Sequence, residues 1–291
     1  MTHLIYPTTN LKAIEQISIE RGEGCYVWDK QGNQYIEGLA GLWCTALGYG
    51  NQELIQTATE QMHKLTFSHM FGGKTHQAGI DLADRLADMI PMDDAVISFG
   101  NSGSDANDTQ IKLLRYYHQA IGRPERRKII ARDRSYHGVT VAAASLTGLP
   151  VTQNHFDLPI DALGILRTDH PHYYRGKQQG ETEDQFVERI IGNLETLIVN
   201  EGPETIAAFI AEPVMGVGGV IIPPKNYFKK VQKVLKRYGI LFIADEVICG
   251  FGRTGNLFGS QTFNLTPDRM TIAKGLSSAY FPISAVLTTK K

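Results

Sequence analysis

The sequence predicts an α/β protein built on a mostly parallel sheet, and three observations carry that reading. Short apolar runs such as Ala95–Phe99, Ile206–Glu212 and Leu241–Asp245 alternate with longer segments of helical periodicity. Those runs are apolar at nearly every position, as expected of strands covered on both faces. A length of 291 residues leaves room for one large domain plus additional segments.

The elements follow in order. Gly24–Asp29 and Gln34–Glu37 flank Lys30-Gln31-Gly32-Asn33, a hairpin signal within a first stretch of short strands and turns. A helical pattern runs from Gln52 to Leu65. Helix Ala78–Met89 then precedes strand Ala95–Phe99, and Ala106–Ala120 is helical again. Lys128–Ala131 reads as a strand, Asp184–Val199 as a helix, Ile206–Glu212 as a strand, Tyr227–Arg237 as a helix and Leu241–Asp245 as a strand. Asn154–Gly180 is the longest irregular stretch. Phe281–Thr289 begins a strand two residues before the sequence stops, so Ile283, Ala285, Val286 and Leu287 are expected to form an uncovered, aggregation-prone edge. Residues 1–60 are assigned to an N-terminal segment that is part of a small domain, and residues 61–291 to a large domain incomplete at its C-terminal end.

Composition narrows the function. Hydrophobic residues make up 42% and charged residues 20%, with a net charge of −1, which argues against nucleic acid or an anionic membrane as partner. Met1–Asn10 lacks the apolar core of a secretory signal, and no apolar run approaches the roughly 18 residues needed to span a bilayer. Cys25, Cys44 and Cys249 are too few and too scattered for a disulfide framework. A cytoplasmic protein is expected. His69 with His76, and His170 with His172, lack a third partner at zinc spacing, so no metal is expected.

In such sheets ligands lie at the carboxyl ends of the strands. Four places there hold candidate chemistry. Phe99-Gly100-Asn101-Ser102-Gly103-Ser104-Asp105-Ala106-Asn107 joins a strand to a long helix, where small residues and free amides suit a phosphate. A plain turn with Ser104 as N-cap is the alternative. Asp245 ends an apolar strand, a costly place for a carboxylate without a partner, and Glu246 sharpens that cost. A structural salt bridge or helix cap would also meet the cost. Lys274 follows Met270-Thr271-Ile272-Ala273 and precedes small residues, which suits an amine desolvated enough to attack a carbonyl, although most lysines are surface groups. Tyr136-His137-Gly138 could place a ring beside a flat ligand or could simply pack in the core. Gly73-Lys74-Thr75 and Gly216-Val217-Gly218-Gly219 fail as nucleotide-binding turns, because the flanking elements are wrong.

Taken together, Asn101–Asn107, Ser135-Tyr136-His137-Gly138, Ala211-Glu212-Pro213-Val214, Ala244-Asp245-Glu246-Val247 with Gly250-Phe251-Gly252-Arg253-Thr254-Gly255, and Ala273-Lys274-Gly275 resemble the ordered landmarks of class III aminotransferases. The resemblance implies the type I, aspartate aminotransferase-like fold of pyridoxal 5'-phosphate-dependent transferases, and a homodimer. It implies that Lys274 carries the cofactor and shuttles a proton, and that Asp245 pairs with the pyridine nitrogen. Gly103 and Ser104 would hold the phosphate, Tyr136 would stack on the ring with His137 beside it, Val247 would cover the other face, and Glu212 would join the hydrogen-bond network. Gly41-Leu42-Trp43-Cys44 and Ser68-His69-Met70-Phe71-Gly72-Gly73 further resemble the ω-amino acid:pyruvate and amine:pyruvate enzymes, with Trp43 lining the substrate pocket or packing in a core.

The implied reaction moves an amino group from an ω-amino acid or amine to a keto acid such as pyruvate. Aminotransferases of 4-aminobutyrate, acetylornithine or diaminopelargonate type, and a semialdehyde aminomutase, share the landmarks. The family continues past its lysine through an interface threonine, a substrate-binding arginine and a C-terminal small domain. A chain ending 17 residues after Lys274 is therefore expected to be a fragment, or a truncated remnant that only binds cofactor or a partner.

Overall fold

The computed structural model describes residues 3–7, 9, 10 and 12–290. The chain divides into two compact units, Met1–Phe67 and Ser68–Lys291.

In the first unit, strands β1 (Ile19–Glu23), β2 (Tyr26–Asp29) and β3 (Gln34–Ile36) form an antiparallel sheet in that order. Asp29 closes the β2–β3 turn. Its carboxylate accepts the backbone N–H groups of Gln31 at 3.0 Å and Asn33 at 2.8 Å, and the Tyr35 hydroxyl at 2.7 Å. Gly32, at φ +85°, supplies the left-handed residue that the turn needs. Next comes a turn, α1 (Ala40–Trp43), in which all four residues have φ between +51° and +69°. Helix α2 (Gln52–Lys64) follows, capped by Asn51, whose side chain accepts from Leu54 N–H at 3.1 Å. Strand β1 was not expected; its alternation is weak and its residues are mostly exposed.

The second unit runs α3 (Gln77–Met89), β4 (Ala95–Gly100), α4 (Gly103–Ala120), β5 (Lys128–Arg132), α5 (Val141–Leu146), β6 (Ile165–Thr168), α6 (Tyr173–Gly176), α7 (Glu183–Glu201), β7 (Ile206–Ala211), α8 (Tyr227–Tyr238), β8 (Leu241–Asp245), α9 (Gly259–Thr262), β9 (Arg269–Ile272) and β10 (Ser284–Thr289). Seven strands form one sheet in the order β4-β10-β9-β8-β7-β5-β6, parallel except for β10, which is antiparallel to both of its neighbours.

Successive side chains on a strand point to opposite faces. Ile130, Phe209 and Phe242 pack with Phe186 and Ile190 of α7 and Val231 of α8. Their neighbours Ile129, Ile210 and Ile243 pack with Ile111 and Leu114 of α4. Helices therefore cover both faces, which explains why the central strands read as continuously apolar. Each of these fully buried side chains contributes about 1.5–3 kcal/mol.

Three expectations are corrected. The supposedly irregular Asn154–Gly180 contains β6, which pairs in parallel with β5 from Ile129↔Ile165 to Arg132↔Thr168. Helix α4 begins at Gly103 and not at Ala106; its N-cap is Ser102, which accepts from Asp105 N–H at 3.1 Å, so Ser104 is not the cap. Strand β10 is no open edge. It lies between β4 and β9, and Ala285, Val286 and Leu287 are buried, because the antiparallel insertion gives both of its sides a partner. The sheet edges are β4 and β6.

Candidate active site

Strand register brings Glu212 and Asp245 to one end of the sheet's parallel strands. Ala211 lies opposite Ala244, and Asp245 lies opposite Thr271, so Glu212 and Asp245 leave β7 and β8 side by side. Lys274 follows on the adjoining β9. Gly100 ends β4 at the same end of the sheet, opposite Ser284 at the start of β10.

Asp245 is buried and its carboxylate is held by three donors. Oδ2 receives Asn107 Nδ2 at 2.9 Å and His137 Nδ1 at 2.7 Å, while Oδ1 receives Val247 N–H at 3.1 Å. Glu246 has its own partners: the amides of Gly259 and Ser260 and the Ser260 hydroxyl, at 2.9, 2.5 and 2.6 Å. Burial pushes its carboxyl up, and the Ser260 and Gly259 bonds offset part of that shift. The two adjacent acids thus divide: Glu246 caps α9, and Asp245 faces the site.

Glu212 is buried as well. Its Oε1 accepts Tyr136 N–H at 3.1 Å and its Oε2 accepts Gly216 N–H at 3.0 Å. Burial drives its carboxyl above the usual carboxylate range, while the nearby His137 and Arg132 pull it back down. Tyr136 is half-buried, and burial followed by the Asp245 charge raises its hydroxyl. The segment around it is clamped from several elements. Thr147 Oγ1 accepts His137 N–H at 2.8 Å, Asn107 Nδ2 donates to His137 carbonyl at 2.7 Å, and Ser104 Oγ accepts Val139 N–H at 3.0 Å.

Gly103 touches Val247. A Cβ there would stand 3.0 Å from both valine methyl carbons, so the turn and the residue after β8 close on one another. Lys274 is half-exposed and has φ +46°, a left-handed backbone that costs a non-glycine residue about 1–3 kcal/mol and is typical of functional sites. Among the described residues its ammonium enters no ion pair.

The second unit thus gathers Gly103, Ser104, Tyr136, His137, Glu212, Asp245, Val247 and Lys274 around the ends of β5, β7, β8 and β9 and the start of α4. Trp43 belongs to the first unit, half-buried at the end of the left-handed turn. Sequence reasoning gave no role to Asn107, Thr147 or Arg132. Asn107 carried a usable signal: it shares the buried stripe of α4 with Gln110, Ile111, Leu114 and His118, where an amide needs a partner. Arg132 is fully buried and donates to the Glu212 carbonyl at 2.7 Å; nothing in its strand sequence announces that.

Comparison with known proteins identifies the family. A model of the class III aminotransferase family matches residues 8–291. The mitochondrial gamma-aminobutyrate transaminase 1 of Oryza sativa subsp. japonica is 54% identical over 277 residues, covering 95% of this chain and 53% of that protein. Vanillin aminotransferase of Capsicum annuum is 51% identical over 279 residues, covering 96% and 60%. The crystal structure of the omega transaminase from Pseudomonas jessenii in complex with PMP matches with a TM-score of 0.96 at 52% identity, covering 99% of this chain and 64% of that one. The chain thus spans about half the length of the curated relatives it matches.

Proposed function

The chain belongs to the class III aminotransferases, and from that premise we propose that it serves a pyridoxal 5'-phosphate-dependent transfer of an amino group from an ω-amino acid or amine to a keto acid such as pyruvate. Its fold is the type I fold of the omega transaminases. The observation that carries the reading is the buried carboxylate of Asp245, held by three donors on one strand end while Lys274 follows the adjoining one.

The residues present fit the cofactor. A carboxylate has about four acceptor positions, and Asp245 uses three, which leaves one on Oδ1 for a protonated ring nitrogen. The start of α4 offers backbone amides and a helix dipole to a phosphate, with Gly103 and Ser104 as its first residues. Tyr136 and Val247 supply the two faces between which a flat ring would lie. When bound, the cofactor supplies an electron sink for the carbon that bears the amino group. Asp245 holds a proton at the ring nitrogen, and His137 and Asn107 hold Asp245. Lys274 carries the cofactor and moves the proton at the substrate's amino-bearing carbon. Glu212 fixes the Tyr136 backbone.

Trp43 is proposed to line the substrate pocket, and the working form to be a homodimer. The rice relative's name supports 4-aminobutyrate as a donor to the same degree as the omega-transaminase titles support amines. No described helix is long and apolar enough to cross a membrane. The test is direct: protein loaded with pyridoxal 5'-phosphate is assayed with 4-aminobutyrate, β-alanine and a simple primary amine against pyruvate. Ping-pong kinetics with at least one of these donors supports the reading; turnover with none of them, by a protein that binds the cofactor, refutes it.

A further inference from the structure

We propose that Asn107 is a positioning residue. It aims the Asp245 carboxylate and ties it to the segment carrying Tyr136 and His137, so that the charge partner and the ring-facing segment are set as one unit. The inference rests on the cofactor reading above.

Asn107 is fully buried in the second turn of α4, where asparagine is a poor choice both for helix propensity and for apolar packing. Its Nδ2 makes two bonds, to Asp245 Oδ2 at 2.9 Å and to the His137 carbonyl at 2.7 Å. Its Oδ1 is buried without a partner. A side chain kept as filler would not leave an acceptor unmatched; this one is kept for its donors. The amide cannot be turned over, since its oxygen would then face a carboxylate oxygen and a carbonyl oxygen. Both acceptors are remote in sequence, on β8 and on the segment after β5, so one amide links three elements.

The consequence lies on Asp245. Asn107 and His137 together fill Oδ2, and Val247 N–H takes one position on Oδ1. The remaining acceptor position therefore has a fixed direction. Without Asn107 the carboxylate loses one of the two donors that aim Oδ2, and the His137 carbonyl loses its only side-chain donor among the described residues.

A double-mutant cycle separates positioning from packing. Asn107→Leu, close to isosteric, and Asn107→Ala are each made in the native protein and in an Asp245→Ala background. The cofactor dissociation constant, kcat and the melting temperature of the cofactor-free protein are measured for each. The expected result is a loss of cofactor affinity of at least about tenfold where Asp245 is present and less than about twofold where it is absent, because residues in one network do not add. Equal losses in both backgrounds, or failure of both variants to fold in either one, would assign Asn107 to packing and overturn the proposal. If Asp245→Ala alone leaves cofactor affinity and turnover unchanged, the cofactor reading fails first and this inference falls with it.

Discussion

The imidazole of His137 and the carboxylate of Asp245 meet at 2.7 Å with both side chains withdrawn from solvent, 0% and 3% exposed. A carboxylate oxygen accepts, so Nδ1 is the nitrogen that donates in this contact, and His137 Nε2 is buried without a partner. A buried carboxylate held by three donors has a fixed orientation. That is the property needed opposite a protonated ring nitrogen.

Asp245→Asn is therefore expected to keep the shape of the site and remove its charge. The cofactor should still bind, with turnover reduced at least about a hundredfold, in line with the loss of other preorganised electrostatic partners. Parallel measurements of cofactor affinity and kcat check this. Near-native turnover would remove Asp245 from its role.

Lys274→Ala should abolish turnover and the covalent attachment of the cofactor, while some non-covalent affinity remains. Borohydride treatment of the native, cofactor-loaded protein should fix the cofactor to a single peptide, found by mass spectrometry. A label on any other lysine would sink the assignment.

Much of this site was legible beforehand, for a physical reason. Acids, glycines and a lysine at the ends of apolar strands stand out because burial there is costly without partners, and Asp245, Glu212 and Gly103 were found that way or through the resemblance they carry. The central strands were equally plain, since β7 and β8 are buried on both faces and read as unbroken apolar runs. Strand β6 was hidden by Arg167, whose guanidinium leaves the strand pattern to bind the carbonyls of Ser145, Leu146 and Thr147. The pairing of β10 was invisible for another reason: its partners β4 and β9 are set by topology, not by local pattern.

Gly138→Ala should be strongly destabilising. At φ +137° an added Cβ would come within 2.5 Å of Ser104 Oγ and 2.7 Å of Ala143 Cβ. A loss of about 2–4 kcal/mol is expected from backbone strain and overpacking together. Gly192→Ala, at an exposed position of α7 where a Cβ meets nothing within 4 Å, is the control and should stabilise by up to about 1 kcal/mol. Chemical denaturation of both variants gives the comparison.

Glu181 supplies an acid-side signature. Its hydrogen bonds with the Arg189 guanidinium, at 2.7 and 2.9 Å, hold its carboxyl at about 2, down from 4.5. A depressed carboxyl contributes stability that is present above its unfolded value and lost as pH falls through its folded one. Native protein should thus lose part of its stability between about pH 5 and pH 2 that Glu181→Gln has already lost. The two melting curves should converge toward pH 2 and separate above pH 5. Buried Glu212 and Glu246 are raised, act with the opposite sign and are common to both proteins, so they cancel in the difference.

Strand β10 gives the last test, because sequence pattern and structure disagree there. Read alone, Ile283, Ala285, Val286 and Leu287 make an apolar edge awaiting a partner. In the fold β10 pairs with β4 from Ser284↔Gly100 to Thr289↔Ala95 and with β9 from Ala285↔Ile272 to Leu287↔Met270. Leu287 is fully buried in the cluster that includes Leu86, Phe258 and Met270. Leu287→Ala should therefore cost about 2–5 kcal/mol, the range for a leucine removed from a packed core. Val96 of edge strand β4 is 37% exposed, and Val96→Ala should cost less than about 1 kcal/mol, because little apolar area leaves contact. If β10 were an open edge, the two substitutions would cost alike, and Leu287→Ala would improve solubility. A large cost confined to Leu287 would instead mark β10 as an interior strand, and with it the sheet edge on which Gly100 and the start of α4 are held.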